Sequence, residues 1–450
     1  MKFFALAFLS IFLVGCATFS QDNGFGSVKE AASRHIKQEL VWPKTEAEQH
    51  DVVAYIGELL GQKIDVERAV QIALLNNKGL QASFYELGIS EADVVQAGRL
   101  PNPKFSMLYV RNNADYKIEQ ALTFNIFSLL IMPKMLEIER RNFEKTKLAV
   151  VADVLELAYQ TRLAYFNAVA ANERVRYSLQ VKESAEASAE LAQRMVKAGN
   201  WSTLELAREQ SFYADAVLEE VNARHQQTSS NEALARLLGV AAEQLTLENR
   251  LPDLPASIAA LQPFEEVAFQ QRLDLQAMRL ETQNLAKQLG LTKTTRLINV
   301  LEIGPARVLE GQRGDPYKKG VDIAFELPLF DWGSAKVARA EAVYMQAVNH
   351  TAQTVINAQS EIREAYSRYH TSYTIAKHYH DKIVPLRKKV LTENQLRYNG
   401  MLVSPFELFA NAREQVMSVN TYIEKLNAFW QAETVLQMAL IGNANKKEGK

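Results

Sequence analysis

Two short motifs combine a hydroxyl with a carboxylate three residues later. They are Ser202-x-x-Glu205 and Ser404-x-x-Glu407, and each follows shortly after a glycine, Gly199 and Gly400. The spacing suits a helix start. The hydroxyl accepts from the backbone N–H three residues on, and the carboxylate reaches back to the cap. The glycine before it can adopt the left-handed conformation that closes a helix. These residues therefore predict two tight helix–helix turns. A second group of carboxylates, Glu119, Asp322 and Glu326, lies in segments of alternating hydropathy, where one face is polar. The histidines offer little chemistry. His378 and His380 are two apart and so point about 200° away from each other on a helix, and His370 is no better placed for either. No metal site within one chain is expected. There is no P-loop, no dinucleotide glycine fingerprint, no HExxH and no GxSxG elbow. Neither an enzyme nor a cofactor is expected. With 51 basic against 52 acidic residues, the chain lacks the cationic excess of a general nucleic-acid binder.

The elements that must position these groups begin with an address. Met1-Lys2 is followed by an apolar run from Phe3 to Val14, then Gly15-Cys16. At about 12 residues the run is too short to span a bilayer but fits a signal peptide. Leu13-Val14-Gly15-Cys16 resembles the bacterial lipoprotein signal, in which cleavage precedes a cysteine that is then acylated. Cys16 is the only cysteine, so no internal disulfide is available. The resemblance implies a signal peptide over 1–15 and a lipidated tail over 16–63. Ala17, in place of Asp, implies outer-membrane retention. No later stretch reaches the length of a transmembrane helix.

The rest is written twice. Leu80-Gln81-Ala82 recurs as Leu275-Gln276-Ala277, and Ala121–Phe127 aligns with Ala324–Phe330. Leu237-Leu238-Gly239 aligns with Leu440-Ile441-Gly442, and the second turn motif carries one extra residue. The repeats span 64–239 and 264–442, with a proline-bearing linker over 240–263 and a polar end over 443–450. The tail over 17–63 shows no sustained periodicity and is expected to be irregular. Each repeat is expected to run helix, two strands, a very long helix, a turn and a return helix. The first opens with a helix over Asp65–Arg99, broken near Lys78-Gly79. Pro133 is expected at the first position of one long helix, and Ser334–Asn399 forms the other, interrupted at Pro385. Leu148, Val151, Leu155, Ala158, Arg162, Tyr165 and Val169 step by three and four. That is a coiled-coil seam.

The strands are expected over about 104–112, 117–127, 297–309 and 318–328. Ile118, Leu122, Phe124 and Ile126 share one face with Gln120; Glu119, Ala121, Thr123 and Asn125 share the other. Val321, Ile323, Phe325 and Leu327 oppose Asp322, Ala324 and Glu326 in the same way. Such strands match a transmembrane β-barrel or a sheet covered on one face. Four strands cannot close a barrel, and open edges in lipid leave backbone groups unpaired. A barrel would therefore need several chains, with twelve strands from three. Glu119, Asp322 and Glu326 would then face the lumen and make it acidic.

Taken together, these features resemble the TolC-like outer-membrane efflux family of the lipoprotein type. The resemblance rests on the LVGC signal, Gly98–Pro103, Arg272–Met278, Leu327–Gly333, the two turns and the two Leu-x-Gly endings. Leu273 stands where the family usually has proline, and Lys78-Gly79 where it has Asn-Pro. The family implies a mainly α fold with a β-barrel part: a homotrimer with a 12-stranded outer-membrane barrel continued by a 12-helix periplasmic tunnel. It implies an exit duct for a tripartite efflux or secretion system, docked on a periplasmic adaptor served by an inner-membrane pump. By resemblance, the turns at Gly199, Ser202 and Glu205 and at Gly400, Ser404 and Glu407 form the periplasmic tip. Glu407 would close the tunnel mouth as a ring of three carboxylates. The rival reading is a periplasmic coiled-coil adaptor or scaffold with no pore of its own.

Overall fold

The computed structural model describes residues 18–113, 115–258, 271–312 and 314–442. The signal segment, Cys16, part of the linker and the polar end lie outside them. The elements of the first half are α1 (Phe25–Ser33), α2 (Glu46–Leu60), α3 (Val66–Asn76), α4 (Lys78–Ala97), β1 (Lys104–Asn112), β2 (Asp115–Asn125), α5 (Ile126–Lys197) and α6 (Thr203–Leu238). The second half adds α7 (Leu273–Thr295), β3 (Leu301–Gly311), β4 (Lys318–Phe325), α8 (Ser334–His378), a π-helical turn (Tyr379–Ile383), α9 (Val384–Asn399) and α10 (Pro405–Ile441). Two compact units result. One holds Ser83–Val150 and Leu273–Ile356 with the N-terminal residues up to Val28; the other holds Lys29–Ala82, Val151–Arg272 and the chain from Asn357 onward.

The first unit contains the sheet. Its four strands run antiparallel in the order β1-β2-β3-β4. β2 and β3 come from different halves, so each half contributes one hairpin and β1 and β4 are the edges. A Cβ at Gly304 would collide with the Leu122 carbonyl; only glycine lets β2 and β3 approach there. β2 ends two residues sooner than expected, because the Asn125 side chain accepts from the Ser128 N–H at 2.8 Å and caps a helix directly. Pro133 therefore lies inside α5, not at its first position. β3 starts later than expected, at Leu301, because α7 continues through Thr295, and β4 ends at Phe325, three residues before Pro328. Ion pairs join helices of this unit: Lys145 pairs with Glu281 at 2.6 Å and Lys293 with Glu341 at 2.7 Å.

The second unit contains the larger core. Val151, Leu155, Ala158, Tyr165 and Val169 of the predicted seam are buried, while Arg162 turns outward to Glu67 at 2.9 Å. The opening helix is two helices, because Asn77 is extended (ψ 116°). Its amide donates to the Leu237 carbonyl at 2.9 Å and its side-chain oxygen accepts from the Leu80 N–H at 3.0 Å. Burial pushes the Tyr165 hydroxyl well above its ordinary range; that hydroxyl donates to the Ile64 carbonyl at 3.1 Å. The tail is a correction: it is not irregular. α2 opens on a complete capping box between Thr45 and Glu48, and Ile36, Leu40 and Trp42 before it are buried.

Candidate functional site

The sheet inverts the usual rule of burial. In a soluble protein the apolar side of a strand turns inward, yet here it is exposed. Phe105, Met107 and Tyr109 of β1, Leu122 and Phe124 of β2, and Val321, Ile323 and Phe325 of β4 are all exposed. Phe325 is 62% accessible and Val321 68%, whereas Ala121 and Thr123 on the opposite side of β2 are buried. The register sets these residues in rows: Phe105 beside Leu122, Phe124 beside Ile303, and Ile303 beside Ile323. Apolar surface continues past the strands through Leu329, Phe330 and Trp332. A contiguous exposed face of this kind marks an apolar partner. Among the described residues, no helix is long and apolar enough to cross a membrane.

The other face holds the carboxylates. Glu119 pairs with Lys117 at 2.8 Å, Glu302 with Lys104 at 3.7 Å and Glu310 with Lys318 at 3.7 Å. Asp322 is on this face opposite Gly304, and Glu326 lies just beyond the end of β4. The expectation of an acidic face therefore changes: it carries mixed charge, because three lysines stand among the carboxylates. Glu302 and Glu310 were missed because β3 alternates poorly around Gly304-Pro305; counting in twos from Asp322's partner would have found them.

The two turns are built differently. The first ends α5 with Gly199 at φ 78°. Gly199 N–H bonds the Val196 carbonyl and Asn200 N–H the Met195 carbonyl, at 3.0 and 2.9 Å, a Schellman closure. Ser202 and Glu205 then form a complete capping box. At the second turn Gly400 has φ −85° and serves as an ordinary cap. The extra residue moves the closure along by one, so Met401 takes the left-handed place at φ 58°. Leu402 N–H completes it on the Arg397 carbonyl at 2.8 Å. This corrects the assignment of Gly400. Ser404 accepts from Glu407 N–H at 3.3 Å, but Pro405 occupies the first helical position and the reciprocal bond is not among those formed. The Glu407 side chain is exposed and is not used in the cap.

Beyond the turns, in the same unit, lies a charged cluster that sequence reasoning missed. Glu209 of α6 is fully buried. Both its oxygens accept from Arg413 of α10 at 3.0 Å, and one also accepts from the Ser188 hydroxyl at 2.8 Å. The Arg413 guanidinium lies over the rings of Phe212 and Phe406, 4.9 and 5.8 Å from their centroids. A buried carboxylate requires such a partner. Nothing in the local spacing announces it, since the two residues come from different repeats.

The histidines remain scattered. His380 contacts Asp381 at 2.7 Å, which holds that carboxyl below its ordinary range, and its ring approaches Tyr422. Among the described residues, no group of three His, Cys, Asp or Glu side chains is placed to hold a metal ion.

Residues 69–240, from within α3 to just past α6, match the family model described as outer membrane efflux protein. That part of the chain is similar to the outer membrane efflux proteins. The second half carries the same order of elements as the efflux-family match in the first. A curated relative, the cobalt-zinc-cadmium resistance protein CzcC of Cupriavidus metallidurans, is 25% identical over 276 residues, 60% of this chain. The aligned region spans 64% of that relative's own length. Among solved structures, a membrane protein from Pseudomonas aeruginosa is similar at a TM-score of 0.70 and 18% identity, covering 83% of this chain and 93% of that one. The Campylobacter jejuni CmeC outer membrane channel is similar at 0.68 and 17% identity, covering 96% and 94%. These likenesses show that the chain shares the fold of those two proteins.

Proposed function

We propose that this protein is the outer-membrane channel of a tripartite efflux system, passively conducting substrate from a periplasmic adaptor and inner-membrane pump to the exterior. The observation that carries this reading is the sheet with its apolar face outward and two open edges. Lipid covers such a face, and only further copies of the chain can satisfy the edges. Three copies give the twelve strands of a closed barrel, with the mixed-charge face as its lumen. The repeats over 64–239 and 264–442 supply the barrel hairpins and the periplasmic tunnel helices. Cys16, acylated after removal of 1–15, anchors the N-terminus in the membrane. The turns form the periplasmic tip, where Glu407, free of capping duty, can ring the opening and favour cations.

Planar-bilayer recording of the purified protein tests the channel. Conductance is expected, rising when Glu407→Ala removes the ring. A protein that never conducts, with or without that substitution, would sink the reading. CzcC is named for cobalt, zinc and cadmium resistance, and divalent metal ions are the first cargo class to test. Deletion of the gene is expected to lower the concentration of zinc, cobalt or cadmium that stops growth. An unchanged limit for all three would remove that cargo and leave the channel intact.

A further inference from the structure

The carboxylates of the sheet are confined to one of its faces, whereas its cations occur on both. Asp115, Glu119, Glu302, Glu310 and Asp322 include every carboxylate of the four described strands, and the pairing register puts all five on the lumen face. Lys104, Lys117 and Lys318 on that face are paired with three of them. The apolar face carries cations and no carboxylate. Arg307 stands directly across from Lys319, and Arg111 lies nearer the β1–β2 hairpin, across from Tyr116. All three are exposed. Lys319 and Arg111 stand second from the loop ends of β4 and β1, and Arg307, midway along β3 beside Gln120, lays its guanidinium on Tyr317 of the β3–β4 loop, while Phe105, Leu122, Phe124, Ile303, Ile323 and Phe325 fill the helix half.

A cation on a lipid-facing strand is costly near the bilayer centre and tolerable at the rim. Its aliphatic stem can lie along apolar surface while the charged head reaches the interface. Arg307 is also held in place. Its Nε donates to the Gln120 Oε1 at 2.7 Å, and its guanidinium lies 4.8 Å from the Tyr317 ring centroid. The Arg111 guanidinium lies likewise 5.4 Å from the Tyr116 ring. A fixed guanidinium beside an ammonium, with no carboxylate on the same face, suits an oxyanion that accepts several hydrogen bonds. At the outer rim of a barrel, that oxyanion belongs to a lipid.

We propose that Arg307 and Lys319, assisted by Arg111, bind the phosphate groups of a phosphorylated lipid in the outer leaflet. The proposal rests on the channel reading above. It adds a lipid-selective site on the barrel exterior, where Tyr109, Tyr116 and Tyr317 supply ring surface beside the cations.

The test titrates the purified full-length protein in detergent with lipid A, a phosphorylated glycolipid, and follows bound lipid by native mass spectrometry. Phosphatidylethanolamine and inorganic phosphate are titrated in parallel. Lipid A is expected to bind most tightly, and Arg307→Gln with Lys319→Gln to weaken it by about tenfold or more. Lys104→Gln with Lys117→Gln, on the lumen face, is expected to leave lipid A binding unchanged. Arg307→Lys, which keeps the charge, is expected to retain most of it and guards against loss through misfolding. Equal binding by wild type and the Arg307/Lys319 variant overturns the proposal. So does inorganic phosphate or phosphatidylethanolamine binding as tightly as lipid A. Conductance of the same preparations separates the two failures. Protein that conducts without selecting lipid A loses only this site; protein that neither inserts nor conducts loses the channel reading and the site together.

Discussion

Met401 holds a backbone conformation at φ 58° that side chains other than glycine, asparagine and aspartate avoid. It is 93% accessible, so packing does not compensate. Left-handed backbone costs a residue with a Cβ about 1–2 kcal/mol, and glycine's greater freedom in the unfolded chain returns part of that. Met401→Gly is expected to stabilise the second turn by about 0.5–1 kcal/mol, read as a higher thermal midpoint by circular dichroism. Gly199→Ala, at φ 78°, is expected to lower the midpoint. Glu209 presents the opposite case, a charge that is buried and fully matched. Glu209→Gln keeps the shape and can still accept from Ser188, but it leaves the Arg413 guanidinium without its counter-charge. A loss of about 3 kcal/mol is expected, measured by denaturant unfolding. Adding Arg413→Met should recover part of it, because the second substitution removes the charge left unpaired. Simple additivity of the two changes would show that the pair contributes nothing as a pair.

The elements differ in how far their residues announce them. β1 and the two helix starts after the turns could be read directly, since alternation and the Ser-x-x-Glu spacing are local signals, although only the first forms the complete box. The start of α5 could not. Asn125 ends a strand and caps a helix in one step, and proline statistics point instead to Pro133. The interruption of the second long helix was legible at Pro385, but the widened turn lies at Tyr379–Ile383. A proline ring clashes with the carbonyl one turn earlier, so the distortion precedes it. The tail helices were missed, although Thr45-Glu-Ala-Glu48 before α2 has the same capping spacing as the turns. The Glu209–Arg413 pair was not legible, because it depends on which helices of the two repeats become neighbours. The start of α1 adds a pH-dependent element. The Asp22 carboxylate accepts from Gly24 N–H at 3.0 Å and Gly26 N–H at 2.8 Å, which holds its pKa below the ordinary 3.8. A lowered folded pKa stabilises the cap at neutral pH, and that contribution is lost as pH falls from the unfolded value through the folded one. Protection from amide exchange across residues 18–33, relative to the intrinsic rate at each pH, should therefore fall below the ordinary aspartate range, and Asp22→Asn should already lower it at neutral pH. Protection factors that do not change with pH or with the substitution would show that the cap does not hold α1.

At the scale of the whole molecule, the question is which side of the sheet meets lipid. A single chain exposes both edges of its sheet and all of its apolar face, so the isolated fold is incomplete in two directions. On the channel reading proposed above, assembly satisfies the edges with other copies and the bilayer satisfies the face. The two sides then respond oppositely to the same substitution. Phe124 is on the apolar face, 41% accessible even within one chain, and the register sets it beside Ile303 in the apolar rows away from the loops. An arginine on a lipid face costs from about 0–1 kcal/mol near the interfaces to about 2–4 kcal/mol at the midplane; Phe124 stands one residue from the helix end of β2, so the cost per copy lies toward the lower figure but is repeated in every subunit of the ring. Phe124→Arg is expected to deplete the protein from the outer-membrane fraction and to abolish conductance. Ser106, on the adjacent strand, pairs with Ala121 and shares the lumen face. Ser106→Arg places the same side chain in water among carboxylates, so membrane assembly should persist and only conductance and ion preference should shift. Both proteins are to be compared in membrane fractions at matched expression. If Phe124→Arg assembles as well as Ser106→Arg, the exposed apolar face does not meet lipid and a protein partner must cover it instead.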